Sequence, residues 1–499
     1  MPDPTPAPIP SPNLSVCPSL DLSGDDILVV GIAADDGDAS MLTPSSTMVD
    51  QACGGRLAAW AQQRDGLKKC GHITMTTMPI GDQGLTTVVL VGLGRLEKLT
   101  RDDVFRAVAS SVRSLSDTPC QSIAIGLGLD VAPSLHDGIA AGALFACEYQ
   151  SIYRKSSGHQ LPEQISLAGV NDQALHRGRA LGHAINLTRR LVNEPPTIMN
   201  PSEFADRAVA MASDVGLKSE TWDEAKLAAE NCEAILAVGR GSSSPPRLVT
   251  LRHDGGGDQP PVILVGKGVT FDSGGLSLKP SDGMVDMKCD MAGAATVVGV
   301  MRAVAELNLP LNVVGICGLA ENMVSGDSYK LGDVIQTRSG KTIEILNTDA
   351  EGRVVLADAL DVACDMNPAA IVDLATLTGA CMVALGQEVA GLMTNQDDLA
   401  SAIESAAQTE GEPVWQLPMF ELYDDKVQSK VADIKNVGEG RWGGAITAAK
   451  FLENFVRGNP WLHIDIAGPA FADSAKSHRD AGATGVMVRT LVRWLESSC

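Results

Sequence analysis

Short apolar runs alternate with stretches of helical period along most of the chain, and that alternation predicts an α/β protein. A length of 499 residues exceeds what one core usually holds, which predicts two domains. Between them, Pro195-Pro196 closes a long helical stretch and marks a boundary. The expected architecture is a smaller N-terminal α/β domain followed by a larger C-terminal α/β domain, the latter with a central mixed sheet flanked by helices.

Taken in order, residues 1–22 read as a disordered, proline-rich tail, with Pro2, Pro4, Pro6, Pro8, Pro10 and Pro12. The N-terminal domain is expected over 23–173. Its strands are Ile27–Ala33, Thr87–Leu93 and Ser122–Gly126, and its helices Met48–Arg64 and Arg101–Ser114. Gly92-Leu93-Gly94 follows a strand but lacks the third glycine of a dinucleotide loop, so it reads as a turn. Residues 174–195 form a linking helix that ends at Asn193-Glu194-Pro195-Pro196. The second domain, 196–499, has strands at Val262–Val265, Asn312–Cys317, Thr342–Leu346, Ala370–Leu374 and Leu462–Ile466. Its helices are Gly293–Glu306, Val354–Met366 and Gly443–Val456.

Composition narrows the function classes. Lys plus Arg number 39 against 61 Asp plus Glu, a formal charge of −22 that disfavours nucleic acid and anionic membranes. No apolar run reaches the roughly 20 residues a membrane helix needs. The N-terminus has neither the basic nor the apolar region of a secretory signal. The 11 cysteines are scattered without a framework, which fits reduced thiols and a cytoplasmic location.

Ligands of open α/β sheets bind beyond the carboxyl ends of the strands. After Val262–Val265 come Lys267, Asp272 and Gly274-Gly275; after Thr342–Leu346 come Asn347, Asp349, Glu351 and Arg353. Asp349 and Glu351, two apart, point the same way in an extended chain. Asp290 adds a fourth carboxylate just before the helix at Gly293. Like carboxylates on one face repel unless cations lie between them. Such an oxygen-rich site suits Mg, Mn or Zn and can hold two ions through shared carboxylates. Lys267, Lys279 and Arg353 either neutralise the acids or serve the chemistry: a neutral lysine can ligate a metal, and a charged one can steady an oxyanion. His463, in the strand-like Leu462–Ile466, reads as core. The chain has no HExxH, no GxSxG and no Walker loop, which leaves serine-hydrolase and ATPase readings without support.

At these residues the sequence resembles the leucyl aminopeptidase family of metallopeptidases. Asn347–Arg353 (NTDAEGR) matches its signature. Val265–Pro280 (VGKGVTFDSGGLSLKP) with Met287–Met291 (MKCDM) matches its other metal block, and Asn193–Pro196 and His463–Gly468 fit as well. The resemblance is strong over about residues 180–499 and looser before them. It implies that Lys267, Asp272, Asp290 and Glu351 hold a tighter metal ion, and that Asp272, Asp349 and Glu351 hold a more exchangeable one. Mn or Zn is the expected pair. Lys279 and Arg353 correspond to the family's catalytic residues, Arg353 holding a bicarbonate that acts as base and Lys279 polarising the scissile carbonyl. Met287, Thr376, Gly379 and Ala467 correspond to the wall of the pocket for the first side chain.

The function so implied is hydrolysis of an N-terminal leucine or other apolar residue from peptides by a metal-bridged hydroxide, in a homohexamer. Rival readings are a metallo-amidase of different substrate range, an architectural DNA-binding role, which the charge opposes, and a dinucleotide module, which the missing glycine opposes.

Overall fold

The computed structural model describes residues 11–22, 26–34, 40–64, 66–80, 84–155 and 159–498. It divides into two compact units. One holds the residues up to Asn186 with Thr409–Gly411 and Asp473–Ala481; the other holds Leu187–Gln408, Glu412–Ala472 and the rest from Gly482.

The first unit is built on a seven-stranded sheet. Its order is Asn13–Cys17, Gln164–Ala168, Ser122–Ile125, Ile27–Ala34, Leu85–Gly94 and Ile73–Pro79, with Ser40–Leu42 paired to Ile27–Ala34. The expected tail over 1–22 is corrected in part. Asn13–Cys17 is an edge strand running parallel to Gln164–Ala168, with Leu14 opposite Ile165 and buried. The prolines around it mask a short strand, although residues 1–10 lie outside the described residues. The expected helix over Met48–Arg64 is two helices, Pro44–Ala52 and Arg56–Ala61. Gly54 and Gly55 both take left-handed backbone angles between them, φ 67° and 80°, which a continuing helix cannot contain. His136–Cys147 is an unforeseen helix, buried along its whole length and so lacking the polar face that periodicity detects.

The second unit carries an eight-stranded mixed sheet. Its order is Val414–Gln416, Ala390–Thr394, Trp461–Asp465, Ala370–Ala375, Val262–Asp272, Asn312–Asn322, Arg247–Asp254 and Lys218–Trp222. The middle pairs are parallel and the outer ones partly antiparallel. Helices Ala292–Glu306 and Glu351–Cys364 pack on the central strands. Val262–Asp272 is buried almost throughout, as a strand covered on both faces should be. It extends past the expected end at Val265 to Asp272, so Lys267 sits within the strand and not in a loop after it.

Two further expectations change here. Thr342–Glu344 belongs to a separate three-stranded sheet with Val334–Gln336 and Ile434–Lys435, so Asn347–Arg353 does not follow a central strand. Glu351 opens a helix and Asp349 lies in the preceding turn, so the two carboxylates are not neighbours on an extended chain.

The long helix spans Asp172–Asn193, and the division between units falls inside it, after Asn186. The Asn186 amide donates to the Leu144 carbonyl of the first unit at 2.8 Å, whereas Thr188 Oγ1 donates to Ala295 of the second at 3.1 Å. Among the described residues, no helix is long and apolar enough to cross a membrane.

Candidate metal centre

Three segments of the second unit converge on one acidic centre. The strand Val262–Asp272 contributes Lys267 and, at its end, Asp272. The short 3-10 turn Met287–Met291 contributes Asp290, and the first turn of Glu351–Cys364 contributes Glu351. Carboxylate oxygens of Asp272, Asp290 and Glu351 lie within 4.8 Å of one another, all buried.

Lys267 is the hub. Its Nζ stands 2.7 Å from Asp290 Oδ1 and 2.9 Å from Glu351 Oε1, and donates to the Thr376 carbonyl at 2.9 Å. Gly352 is what lets it pass: a Cβ there would sit 2.4 Å from Lys267 Cε, inside van der Waals contact. Lys279 reaches in from the other side, 2.9 Å from Asp272 Oδ2 and 2.5 Å from Asp349 Oδ1.

Burial and crowding set the electrostatics. Burial opposes the charge on both lysines, but the surrounding carboxylates outweigh it and raise both pKa values. Burial pushes the Asp272 carboxyl up to about 6, and Glu351 adds to the shift while the two lysines oppose it. Burial also raises Asp290 well above the usual carboxylate range. Glu351 goes the other way: burial opposes ionisation, yet Lys267 and Lys279 hold it below its ordinary value. The ammonium groups thus stand in for cations among four carboxylates.

The donor set fits divalent ions. Asp290 Oδ2 and Glu351 Oε2 are buried without a hydrogen-bond partner, as is the nearby Asn322 Oδ1. Buried oxygens left unsatisfied cost free energy, and a hard cation is the natural ligand for them. Arg353 stands apart from this group. It is buried, its Nη1 donates to the Asn436 carbonyl at 2.9 Å, and its Nε has no partner. Burial lowers its pKa to about 10 against the pull of Glu351 and Asp465.

The expected pocket wall divides. Thr376 Oγ1 donates to Asp290 Oδ1 at 2.7 Å, and Met287 lies half-buried on the turn that carries Asp290. Ala467 donates its N–H to Asp465 Oδ1 at 3.1 Å. Gly379, at the start of helix Gly379–Leu385, lines a cavity of about 580 Å³ that also includes Asp349, Arg353 and Trp442.

Sequence reading missed the side chains that hold these segments together. Asn322 ends the strand Asn312–Asn322 and donates to both Asp272 Oδ1 at 2.7 Å and the Thr348 carbonyl at 2.9 Å. Asn436 accepts from the Leu346 N–H at 2.9 Å and donates to the Asn347 carbonyl at 2.6 Å. An isolated asparagine carries no motif; the only available signal was its place at the end of a buried strand.

The fold and the lysine–carboxylate centre define an α/β protein with a candidate site for divalent metal, and comparison with known proteins specifies the family. The family model described as cytosol aminopeptidase family, catalytic domain, matches residues 186–492, and its N-terminal domain matches 29–151. A probable cytosol aminopeptidase of Rhodopirellula baltica is 62% identical, covering 99% of this chain and 98% of that one. One from Syntrophotalea carbinolica is 40% identical over 96% of this chain and 98% of its own length. The solved structure of the bottromycin maturation enzyme BotP superimposes with a TM-score of 0.84 at 36% identity, covering 95% of this chain and 99% of BotP; a second BotP structure contains Mn. The chain belongs to the cytosol aminopeptidase family. Membership supports a metal-dependent N-terminal aminopeptidase activity.

Proposed function

We propose that the chain removes leucine, or another apolar first residue, from the N-termini of peptides, using two divalent ions. The observation that carries this is the buried triad of Asp272, Asp290 and Glu351, with unpartnered oxygens on Asp290 and Glu351 and two lysines beside them. Lys267, Asp272, Asp290 and Glu351 would hold one ion, and Asp272, Asp349 and Glu351 the other. Bound there, Mn or Zn would activate a shared water and polarise the scissile carbonyl.

The chain's own groups do the rest. With an ion in place, Lys267 would lose its proton to solvent and offer its lone pair to the ion, while Thr376 keeps Asp290 oriented. Lys279 donates to the carbonyl oxygen as negative charge develops on it. Arg353, whose buried Nε has no partner, would hold a bicarbonate, which would supply a base for the attacking water. Met287, Thr376, Gly379 and Ala467 are uncharged and receive an apolar first side chain, which fixes the carbonyl for attack. The assembly we propose is a homohexamer in the cytosol, a reading supported by the family resemblance.

Matched peptides with free and acetylated N-termini test the reading. The free amine should be required; comparable kcat/KM for both forms would leave a general metallo-amidase instead.

A further inference from the structure

Two neighbouring strands of the eight-stranded sheet end close to the metal centre. Ala370–Ala375 and Trp461–Asp465 run parallel, with Ala375 directly opposite Asp465. Beyond that pair the two chains part. One continues through Thr376, Leu377 and Thr378 into the helix Gly379–Leu385, the other through Ile466 and Ala467. One further backbone bond, from the Ile466 N–H to the Ala375 carbonyl at 2.8 Å, follows the pair.

The Asp465 carboxylate spans the gap that opens there. Its Oδ1 accepts from the Ala467 N–H at 3.1 Å and the Leu377 N–H at 3.2 Å, with the Thr378 N–H at 3.5 Å. Its Oδ2 accepts from Thr378 Oγ1 at 2.7 Å. Thr378 Oγ1 in turn accepts from the Cys381 N–H at 3.0 Å and so caps the helix Gly379–Leu385. A carboxylate offers about four acceptor sites and no donor, which suits it to this ring of donors.

The segments it ties together carry the wall assigned above to the first side chain. Thr376 adjoins Leu377, Gly379 follows Thr378, and Ala467 is bonded directly. Their other anchor is the metal centre. Thr376 Oγ1 donates to Asp290 Oδ1 at 2.7 Å, and the Thr376 carbonyl accepts from Lys267 Nζ at 2.9 Å. Asp290 and Lys267 therefore set where Thr376 stands relative to the ions. Asp465 sets where Gly379 and Ala467 stand relative to Thr376. Asp465 is fully buried and has no surface for a substrate to touch. Its effect is on the spacing of the wall, and a pocket discriminates between apolar side chains by that fit.

We infer that Asp465 is a positioning residue that determines which first side chains the pocket accepts. The inference rests on the aminopeptidase reading above and deepens it by naming the group that fixes the wall.

The test measures kcat/KM for the 4-nitroanilides of leucine and alanine, both with free amines, in the Mn-loaded chain. The proteins are wild type, Asp465→Asn, Thr378→Val and Thr378→Ser. Asp465→Asn keeps the shape and one acceptor oxygen, but puts a donor where Oδ2 accepts the Thr378 hydroxyl. Thr378→Val removes that hydroxyl with little change of shape, and Thr378→Ser keeps it. The leucine-to-alanine ratio should fall roughly tenfold in Asp465→Asn and in Thr378→Val, about what one methylene of fit is worth. The fall should come from a higher KM for the leucine substrate with kcat little changed. Thr378→Ser should keep the wild-type ratio, and metal content should match the wild type throughout. A purely structural role would lower both substrates together, so an unchanged ratio in Asp465→Asn overturns the inference. A ratio that falls only together with lost metal overturns it as well. Should Asp465→Asn not fold, the Thr378 pair decides, and equal ratios in Thr378→Val and Thr378→Ser overturn the inference. A wild type that cleaves both substrates equally does the same while leaving the aminopeptidase reading intact. If neither substrate is cleaved, the aminopeptidase reading itself fails and the inference falls with it.

Discussion

The two lysines of the metal centre occupy unlike surroundings. Lys267 and its partners Asp290 and Glu351 have side chains exposed by only 3%, 5% and 2%. On the other side, Lys279 is 17% exposed and Asp349 33%. The first lysine enters from the middle of a buried strand, the second from the loop beyond Gly274-Gly275. Burial strengthens every electrostatic interaction and slows exchange with solvent. The enclosed side is therefore suited to permanent holding, and the open side to contact with a substrate that comes and goes.

The largest expected effect breaks both sides together. Exhaustive treatment with a chelator should abolish peptide hydrolysis, and Mn or Zn should restore it; full turnover in a chain shown by elemental analysis to be metal-free would refute the metal reading. Next comes the separation of the lysines. Lys279→Ala should lower kcat by about 10²–10³, the usual loss for one oxyanion donor, with metal content near that of the wild type. Lys267→Ala should instead lose metal. Equal metal content and equal turnover in both variants would erase the distinction.

A smaller effect concerns the tie between the sides. Asn322→Ala removes one donor each from Asp272 Oδ1 and the Thr348 carbonyl, which keep the Gly274 N–H and the Tyr329 hydroxyl, so the loss is that of two hydrogen bonds at about 0.5–1.5 kcal/mol each. Denaturant unfolding of the metal-free chain should register that loss. An unchanged midpoint would show that the loops are held by other means.

The smallest is a pH effect. The folded Asp272 carboxyl is raised from 3.8 to about 6, first by burial, so it holds its proton more tightly folded than unfolded. Its contribution to stability is present at low pH and is lost as pH rises from 3.8 through about 6. Without metal, the wild type should lose melting temperature relative to Asp272→Asn across that window. Saturating divalent ion, which binds the ionised form, should reverse the sign. A metal-free wild type that gains melting temperature relative to Asp272→Asn as pH rises would contradict the burial argument.

Much of this centre was readable as a set of residues but not as an arrangement. Lys267, Asp272, Asp290, Asp349 and Glu351 stand out because acids and lysines among glycines are unusual after apolar runs. Their convergence was reached by a wrong route: Glu351 begins a helix, and Lys267 lies inside a strand. Periodicity ended that strand early because Gly266, Lys267 and Gly268 interrupt its apolar run. Only the packing of Gly352 against the lysine stem shows why a charged residue is tolerated there. In the first unit, His136–Cys147 was missed because a helix buried on every side shows no alternation. The edge strand Asn13–Cys17 was hidden by the proline-rich stretch before it.

The helix Asp172–Asn193 also limits how the chain can be cut or recombined. Asn193 accepts from the Ala483 N–H through its side chain at 3.0 Å, and its carbonyl accepts from Lys288 Nζ at 3.0 Å, one residue from Cys289 and two from Asp290. A fragment beginning at Pro196 would leave those donors bare beside the metal ligands. Nor is the first unit one stretch of sequence, since Thr409–Gly411 and Asp473–Ala481 belong to it. No single crossover between two related genes could therefore exchange one unit whole and leave the other untouched. Exchanging the N-terminal unit intact requires three grafts, with the first joined inside the helix, after Asn186, and not at the prolines.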